Sequence, residues 1–173
     1  MQAETERFDG FARAYEAGRG SLVSLTLVAD LETPVAAFLK LKGQYPGPGF
    51  LLESVEGGAV RGRYSMIGLD PDLIWRCTDR AEIARDAALA AFVPDGLEPL
   101  ASLRALIAES AIGDDATQAL PPMAAGLFGY LGYDMVRRME RLPEPNPDPL
   151  GVPDAILIRP RVMVVFDAVA DAL

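Results

Sequence analysis

The chain contains no histidine among its 173 residues, and this absence excludes several common kinds of enzyme. Histidine is the usual general base near neutral pH and the commonest metal ligand. Ser-His-Asp triads, Cys-His dyads and most zinc sites are therefore excluded. Because no other motif supplies catalytic chemistry, we assign no catalytic residue and no metal ligand from the sequence.

Cysteine, long apolar runs and positive charge are also scarce. A single cysteine, Cys77, excludes an internal disulfide and indicates a reducing cytoplasm. No apolar run approaches the about 18 residues of a membrane helix, and the acidic start at Met1–Glu6 is unlike a signal peptide, so we expect a soluble cytoplasmic protein with no membrane partner. The net charge of −9 makes nucleic acid an unfavourable partner.

The chain does have enough apolar side chains for a full core. Half of its residues are hydrophobic and 24% are charged, and its length suits one domain covering residues 1–173. Helical and strand-like segments alternate irregularly along it. This pattern predicts an α+β fold, with antiparallel β-sheets and flanking helices.

The spacing of apolar residues predicts five helices, one of which has clear start signals. Thr33 is a typical N-cap and Pro34 suits the first helical turn, and Phe38, Leu39 and Leu41 are expected to be buried. The helices are expected at Phe8–Tyr15, Val35–Leu41, Ala84–Phe92, Leu100–Ile107 and Tyr133–Leu142.

Period-two patterns and turn residues predict the strands. A β-hairpin is expected from Phe50 to Gly68, with its turn at Gly57-Gly58. Further strands are expected at Ser21–Asp30, Asp72–Cys77, Met123–Tyr130, Ala155–Ile158 and Val162–Phe166. Gly113–Asp115 is expected to be a loop, and Pro143–Pro153 an extended connector that packs through Leu150 and Val152.

The hairpin places polar side chains at the end of an apolar strand. A site for a free aromatic amino acid needs an apolar slot, acceptors for the ammonium and donors for the carboxylate. Leu51, Leu52 and Val55 can supply the slot, Ser54 can donate and accept hydrogen bonds, and Glu53 supplies negative charge. The segment is therefore a candidate binding site.

Strand alternation narrows the roles of these residues. Ser54 is expected to face a ligand together with Leu52, while Glu53 acts through its backbone carbonyl or from the rim of the site. An ordinary half-buried strand with a polar edge would give the same pattern. In that interpretation Glu53 pairs with Arg61 or Arg63, and Tyr64 is a strand aromatic without a ligand.

Five motifs, in this order, resemble the N-terminal portion of the anthranilate synthase component I family, and the resemblance covers essentially the whole chain. The motifs are ADLETP at Ala29–Pro34, FLLES at Phe50–Ser54, GRYSMIG at Gly62–Gly68, GLFGYLGYD at Gly126–Asp134 and the dipeptide Pro153-Asp154. The resemblance implies two facing β-sheets with outer helices, built jointly by the N- and C-terminal portions of the family's proteins.

The resemblance also implies a function. The family converts chorismate to anthranilate, using Mg²⁺ and ammonia from a glutamine amidotransferase partner, component II, and tryptophan inhibits it. Its catalytic and Mg²⁺-binding residues lie in the C-terminal portion, so no catalytic or metal residue carries over. The inhibitor-site positions do carry over, and they are Leu52, Glu53, Ser54, Val55, Tyr64 and Ser65.

On this resemblance we expect the chain to be an inactive N-terminal piece that lacks its chorismate-binding partner region. Apolar surface meant for that region should be exposed, and we expect the isolated piece to dimerise or aggregate. Two alternatives stay open: a stand-alone amino-acid-binding regulatory module, and the N-terminal part of aminodeoxychorismate synthase component I.

Overall fold

The computed structural model describes residues 11–18, 20–54, 62–112, 120–121, 123–143 and 147–173. Within them, six strands form one antiparallel sheet, flanked by short helices, which confirms the predicted fold class. The strands are β1 (Phe50–Leu52), β2 (Tyr64–Cys77), β3 (Ala81–Ala84), β4 (Val93–Pro94), β5 (Phe128–Leu131) and β6 (Ala155–Asp167). The helices are α1 (residues 11–16), α2 (Pro34–Lys42), α3 (Pro99–Glu109) and a 3₁₀ helix (Tyr133–Arg138).

Strand β2 is the centre of the sheet, whose strand order is β4-β3-β2-β6-β5. Strands β1 and β3 pair with successive parts of β2, and β6 pairs along its whole length. The β2–β6 ladder runs from Tyr64 opposite Asp167 to Cys77 opposite Ala155. The long ladder therefore holds together segments that are far apart in the sequence.

Each of the two long strands joins segments that the sequence analysis treats as separate. The hairpin strand does not end at Gly68 but continues to Cys77, and one strand replaces the two expected after Pro153. The register shifts between Pro71 and Leu73, where Pro71 lies opposite Pro160. Proline has no N–H to donate to a ladder, so the strands continue through this point by means of a local irregularity.

The prediction of a strand at Ser21–Asp30 is wrong. This segment makes only an isolated bridge, between Val28 and Ala172, and the backbone of Leu27 hydrogen-bonds that of Leu173. The side chains of Val23 and Leu25 are 69% and 74% exposed. An alternating pattern produces a strand only where a sheet edge is available to pair with it.

The prediction of a helix at Ala84–Phe92 is also wrong. Ala81–Ala84 is strand β3, and after it the Asp86 carboxylate accepts hydrogen bonds from the backbone N–H groups of Ala88, Ala90 and Ala91. An aspartate side chain that bonds nearby backbone N–H groups competes with the helix for them. The alanine-rich stretch therefore forms a loop despite its helical propensity.

Four smaller expectations also need correction. Strand β5 covers only the end of the predicted Met123–Tyr130 segment, and a 3₁₀ helix replaces the helix predicted from Tyr133 to Leu142. Leu39 is 68% exposed rather than buried, and Phe38 and Leu41 are only half-buried. Leu150 and Val152 are 80% and 55% exposed, so the connector does not pack through them. The Gly57-Gly58 turn and the Gly113–Asp115 loop lie outside the described residues.

The helices with clear sequence signals are confirmed. Thr33 Oγ1 accepts a hydrogen bond from the Ala36 N–H at 3.2 Å, which caps α2 as its sequence predicts. In α3, Leu103 and Leu106 are buried. Residues 11–16 are helical, and Gly18 follows with a φ of +66°, as expected of a glycine after a helix. Among the described residues, no helix is long and apolar enough to cross a membrane.

The core includes Trp75, which has no exposed surface and lies in a cluster between the sheet and α3. Its indole N–H donates a hydrogen bond to Ser102 Oγ at 2.8 Å, and Ser102 is 1% exposed. Because a buried indole N–H needs an acceptor, this bond fixes α3 against the centre of the sheet.

A chain of ion pairs joins the end of α3 to the sheet. Arg159 of β6 makes two hydrogen bonds to Asp72 of β2, both 2.8 Å, and one to Glu109 at 2.9 Å. Arg85 also binds Glu109, at 2.8 and 2.6 Å. The hydrogen bond from Arg85, followed by that from Arg159, lowers the pKa of Glu109 from 4.5 to about 2.

The Trp75–Ser102 bond gives a stability prediction. Ser102→Ala leaves the indole N–H buried without an acceptor, which should lower the free energy of unfolding by about 1–3 kcal/mol in urea titrations. Ser24→Ala, at an exposed serine, is the matched control and should change it little. Equal losses in the two variants would contradict the proposed role of the buried bond.

The Glu109 network gives a prediction about pH. A carboxylate with a lowered pKa in the folded state stabilises the fold above its unfolded pKa and loses this effect as pH falls. Stability should therefore fall between pH 4.5 and about pH 2, and Glu109→Gln should flatten this part of the curve of unfolding free energy against pH. Glu140→Gln, at an exposed glutamate, serves as the control and should leave the slope unchanged.

Candidate functional site

The candidate site lies at one rim of the sheet, where β1 ends, β2 begins and β6 ends. The hairpin register sets Leu52 opposite Met66, which brings Glu53 and Ser54 beside the start of β2. On the other side of β2, Asp167 lies opposite Tyr64. We call this group of residues, 52–54, 63–65 and 167, the hairpin rim.

A hydrogen bond joins the two sides of the hairpin rim. The Ser54 N–H donates to Ser65 Oγ at 3.2 Å, and Ser65 is 7% exposed. Ser54 lies two residues beyond the end of β1, so this bond to a side chain attaches it to β2 where the strand pairing has ended. Because a serine hydroxyl has its own hydrogen, Ser65 keeps a donor for another partner while it accepts from Ser54.

Five of the six predicted site residues meet at the rim, and Val55 lies outside the described residues. Leu52 is 48% exposed, Glu53 and Ser54 are exposed, and Tyr64 is half-buried. Because neighbours on a strand point to opposite faces, Tyr64 and Ser65 lie on opposite sides of β2. The rim therefore brings the predicted residues together without enclosing a pocket from them.

The sequence analysis also offered Arg61 or Arg63 as an ion-pair partner of Glu53. Arg63 pairs with Asp167, through distances of 2.8 Å (Nε to Oδ1) and 2.6 Å (Nη2 to Oδ2). Arg61 lies outside the described residues. Among the residues that the structure does describe, Glu53 makes no ion pair, so its carboxylate is exposed at the rim.

The Arg63–Asp167 pair is the part of the rim that the sequence analysis missed. The Arg63 guanidinium also lies 4.8 Å from the centre of the Tyr64 ring, a cation–π contact. The hydrogen bond from Arg63 is the main cause that lowers the pKa of Asp167 to about 2. The two residues are 104 positions apart, so no local pattern in the sequence indicates their contact.

The GLFGYLGYD motif lies on β5 and has structural roles there. A Cβ at Gly129 would lie 1.9 Å from the Ile156 carbonyl oxygen, so only glycine allows β5 to pair this closely with β6. The Tyr130 hydroxyl donates to the Pro153 carbonyl at 2.8 Å, and Asp134 pairs with Arg137 at 2.7 Å. The Gly129 and Tyr130 contacts join β5 to β6 and to the segment before it, whereas the Asp134–Arg137 pair lies within the 3₁₀ helix.

A separate cavity of about 720 Å³ lies between α3 and residues 120–121 and 123–127. Its walls are almost wholly apolar, with Leu103, Ile107 and Leu157 among them, and it includes none of the six predicted site residues. The hydroxyl that reaches it, on Ser110, accepts a hydrogen bond from Arg159. The cavity therefore lacks the polar partners that a free amino acid needs.

No group of three or more Cys, Asp or Glu side chains in the described part of the chain could hold a metal ion. Asp70, Asp72 and Asp167, the acidic residues of the β2–β6 ladder, pair with arginines instead. We therefore assign no Mg²⁺ ligand to these residues.

Among solved structures, the chain is similar to anthranilate synthase component I from Streptococcus pneumoniae, with a TM-score of 0.51 and 21% sequence identity. The match covers 87% of this chain and 30% of that one. At this identity the comparison establishes the fold alone. No family model matches the sequence.

Comparisons of sequence are more specific. Anthranilate synthase component 1 of Cereibacter sphaeroides is 53% identical over 165 residues, which are 94% of this chain and 32% of that protein. The protein of the same name from Mycolicibacterium smegmatis is 39% identical over 156 residues, 90% of this chain and 29% of that protein. The chain thus spans about a third of the curated relatives that it matches, and over nearly its whole length it is similar to part of anthranilate synthase component 1.

Proposed function

We propose that this chain is part of an enzyme of tryptophan biosynthesis that converts chorismate to anthranilate. The proposal is supported by 53% identity to a protein named anthranilate synthase component 1. The ammonia for the reaction would come from a glutamine amidotransferase, component II, in the cytoplasm. Catalysis and Mg²⁺ binding would fall to the remaining two thirds of the parent protein, and this chain alone is inactive.

Within that enzyme, the hairpin rim contributes part of an inhibitory site for L-tryptophan. The observation that carries this proposal is the hydrogen bond from the Ser54 N–H to Ser65 Oγ. It holds together two predicted site residues from the two sides of the hairpin. A regulatory site needs such a fixed geometry, because it must recognise the ligand and transmit its binding to the sheet.

The exposed residues of the rim fit the chemistry of an amino-acid ligand. Leu52 offers apolar surface to an indole ring, and the Glu53 carboxylate attracts an ammonium group. The Ser54 hydroxyl can donate to a carboxylate or accept from an ammonium. Val55 and Tyr64 complete the proposed set, with Ser65 supporting Ser54 from the buried side.

The exposure of the rim also indicates that the site is incomplete in this chain. A ligand pocket normally buries most of its ligand, whereas Leu52, Glu53 and Ser54 are all exposed. Residues from the rest of the parent protein would close it. The isolated chain should therefore bind tryptophan weakly or not at all.

The role of Ser54 can be tested in the full-length parent enzyme. Ser54→Phe fills the space beside Leu52 and removes the hydroxyl, while the backbone N–H that bonds Ser65 is kept. The tryptophan concentration for half-maximal inhibition should rise at least about tenfold, with kcat and the KM for chorismate unchanged. The measurement is the rate of anthranilate formation against tryptophan concentration.

Ala105→Phe is the control for this test, since it adds the same ring at an exposed position of α3. It should leave the inhibition curve as in the wild type. If Ser54→Phe leaves inhibition unchanged, Ser54 does not belong to the site.

Two proposals can be tested with the 173-residue chain itself: that it is inactive, and that its tryptophan site is incomplete. It should form no anthranilate from chorismate and ammonia, whereas the full-length parent should do so with Mg²⁺ present. Titration calorimetry should detect weak or no tryptophan binding to the isolated chain. Tight binding would instead favour a stand-alone amino-acid-binding module.

A further inference from the structure

The Arg63–Asp167 pair has no role in the ligand chemistry above, yet it is part of the hairpin rim. Its two hydrogen bonds, at 2.8 and 2.6 Å, join the residue before β2 to the last residue of β6. Parallel bonds from one guanidinium to one carboxylate fix both distance and orientation. Arg63 therefore has little freedom, and the Tyr64 ring in contact with it is held as well.

Asp167 also organises the segment that follows β6. Its carboxylate Oδ1 accepts hydrogen bonds from the N–H groups of Val169 and Ala170, at 3.0 and 3.3 Å. The Ala168 N–H bonds the Arg63 carbonyl at 2.9 Å, and the Asp167 N–H bonds the Ala172 carbonyl at 2.8 Å. One side chain thus joins the start of β2 to the turn after β6.

Two other Arg–Asp pairs join β2 to β6, and one of them provides a comparison. Arg161 binds Asp70 at 2.9 Å through Oδ1 and 2.8 Å through Oδ2, close to the register shift and away from the rim. The Asp70 side chain is 34% exposed, whereas that of Asp167 is 14% exposed. Because solvent screens an exposed pair more strongly, the pair at the rim is the more constraining of the two.

We propose that Arg63 and Asp167 are positioning residues for the hairpin rim. Their ion pair holds Tyr64 and Ser65 in register with Ser54 and thereby sets the affinity of the rim for an aromatic amino acid. The part of this proposal that concerns ligand affinity rests on the tryptophan site proposed above. The part that concerns the order of the rim does not depend on any ligand.

Asp167→Asn in the full-length parent enzyme isolates the ion pair. Asparagine keeps an oxygen for the Val169 and Ala170 N–H groups but loses the charge, and its NH₂ group then faces the N–H donors of Arg63. The tryptophan concentration for half-maximal inhibition should rise about tenfold, with kcat and the KM for chorismate within about twofold of the wild type. Arg63→Lys, which keeps the charge without the paired geometry, should give a smaller rise.

Asp70→Asn is the matched control, because it removes the same charge from the same pair of strands. It should leave the inhibition curve unchanged. If it weakens inhibition as much as Asp167→Asn does, general weakening of the β2–β6 ladder explains both effects and the proposal is overturned. Unchanged inhibition in Asp167→Asn also overturns it.

Hydrogen exchange separates this proposal from the proposed function. Without ligand, the Ser54 amide of the full-length protein should exchange at least about fivefold faster in Asp167→Asn than in wild type or Asp70→Asn. A wild-type enzyme that tryptophan does not inhibit would refute the regulatory site, and the exchange result alone would then decide the positioning role. An unchanged exchange rate at Ser54 overturns that role whatever the inhibition data are.

Discussion

The pairing of β2 with β6 is the constraint on which the rest of the structure depends. The ladder extends from Tyr64–Asp167 to Cys77–Ala155, and the other strands are built outward from it. Strands β1 and β3 add to β2, while β5 adds to β6. The core clusters with Trp75 and with Ile67 contain residues of both long strands. The hairpin rim exists because one end of this ladder meets the end of β1.

Sequence reasoning identified the elements whose signals are local. The Thr33-Pro34 start predicted α2, and the apolar strand before two glycines predicted the pairing of Phe50–Leu52 with β2. The failures have non-local causes. Ser21–Asp30 alternates like a strand, but pairing depends on a sheet edge that the segment itself does not specify. Ala84–Phe92 has helical composition, but Asp86 bonds the backbone N–H groups that a helix would use.

For the candidate site, too, the contacts set by local sequence were predictable and the contacts between distant segments were not. Hairpin register alone brings Ser54 to the start of β2, so the proximity of Ser54 and Ser65 follows from local sequence. The Arg63–Asp167 ion pair that holds this end of β2 could not be predicted from local sequence, because the two residues are 104 positions apart. Alternation also places Tyr64 and Ser65 on opposite faces of β2, Tyr64 half-buried and Ser65 buried, so these two predicted positions do not face one ligand together.

The wide spacing of the two long strands in the sequence has a consequence for the synthesis of the protein. About 80 residues are added between Cys77 and Ala155, which takes about 4–16 s at the usual rate of translation. During that interval β1 and β3 can pair with β2, but the edge that β6 will cover is bare. A bare strand edge with apolar residues such as Ile67 and Leu73 is a template for aggregation. The edge of β2 that pairs with β6 is therefore most open to pairing with other chains while the ribosome translates this stretch.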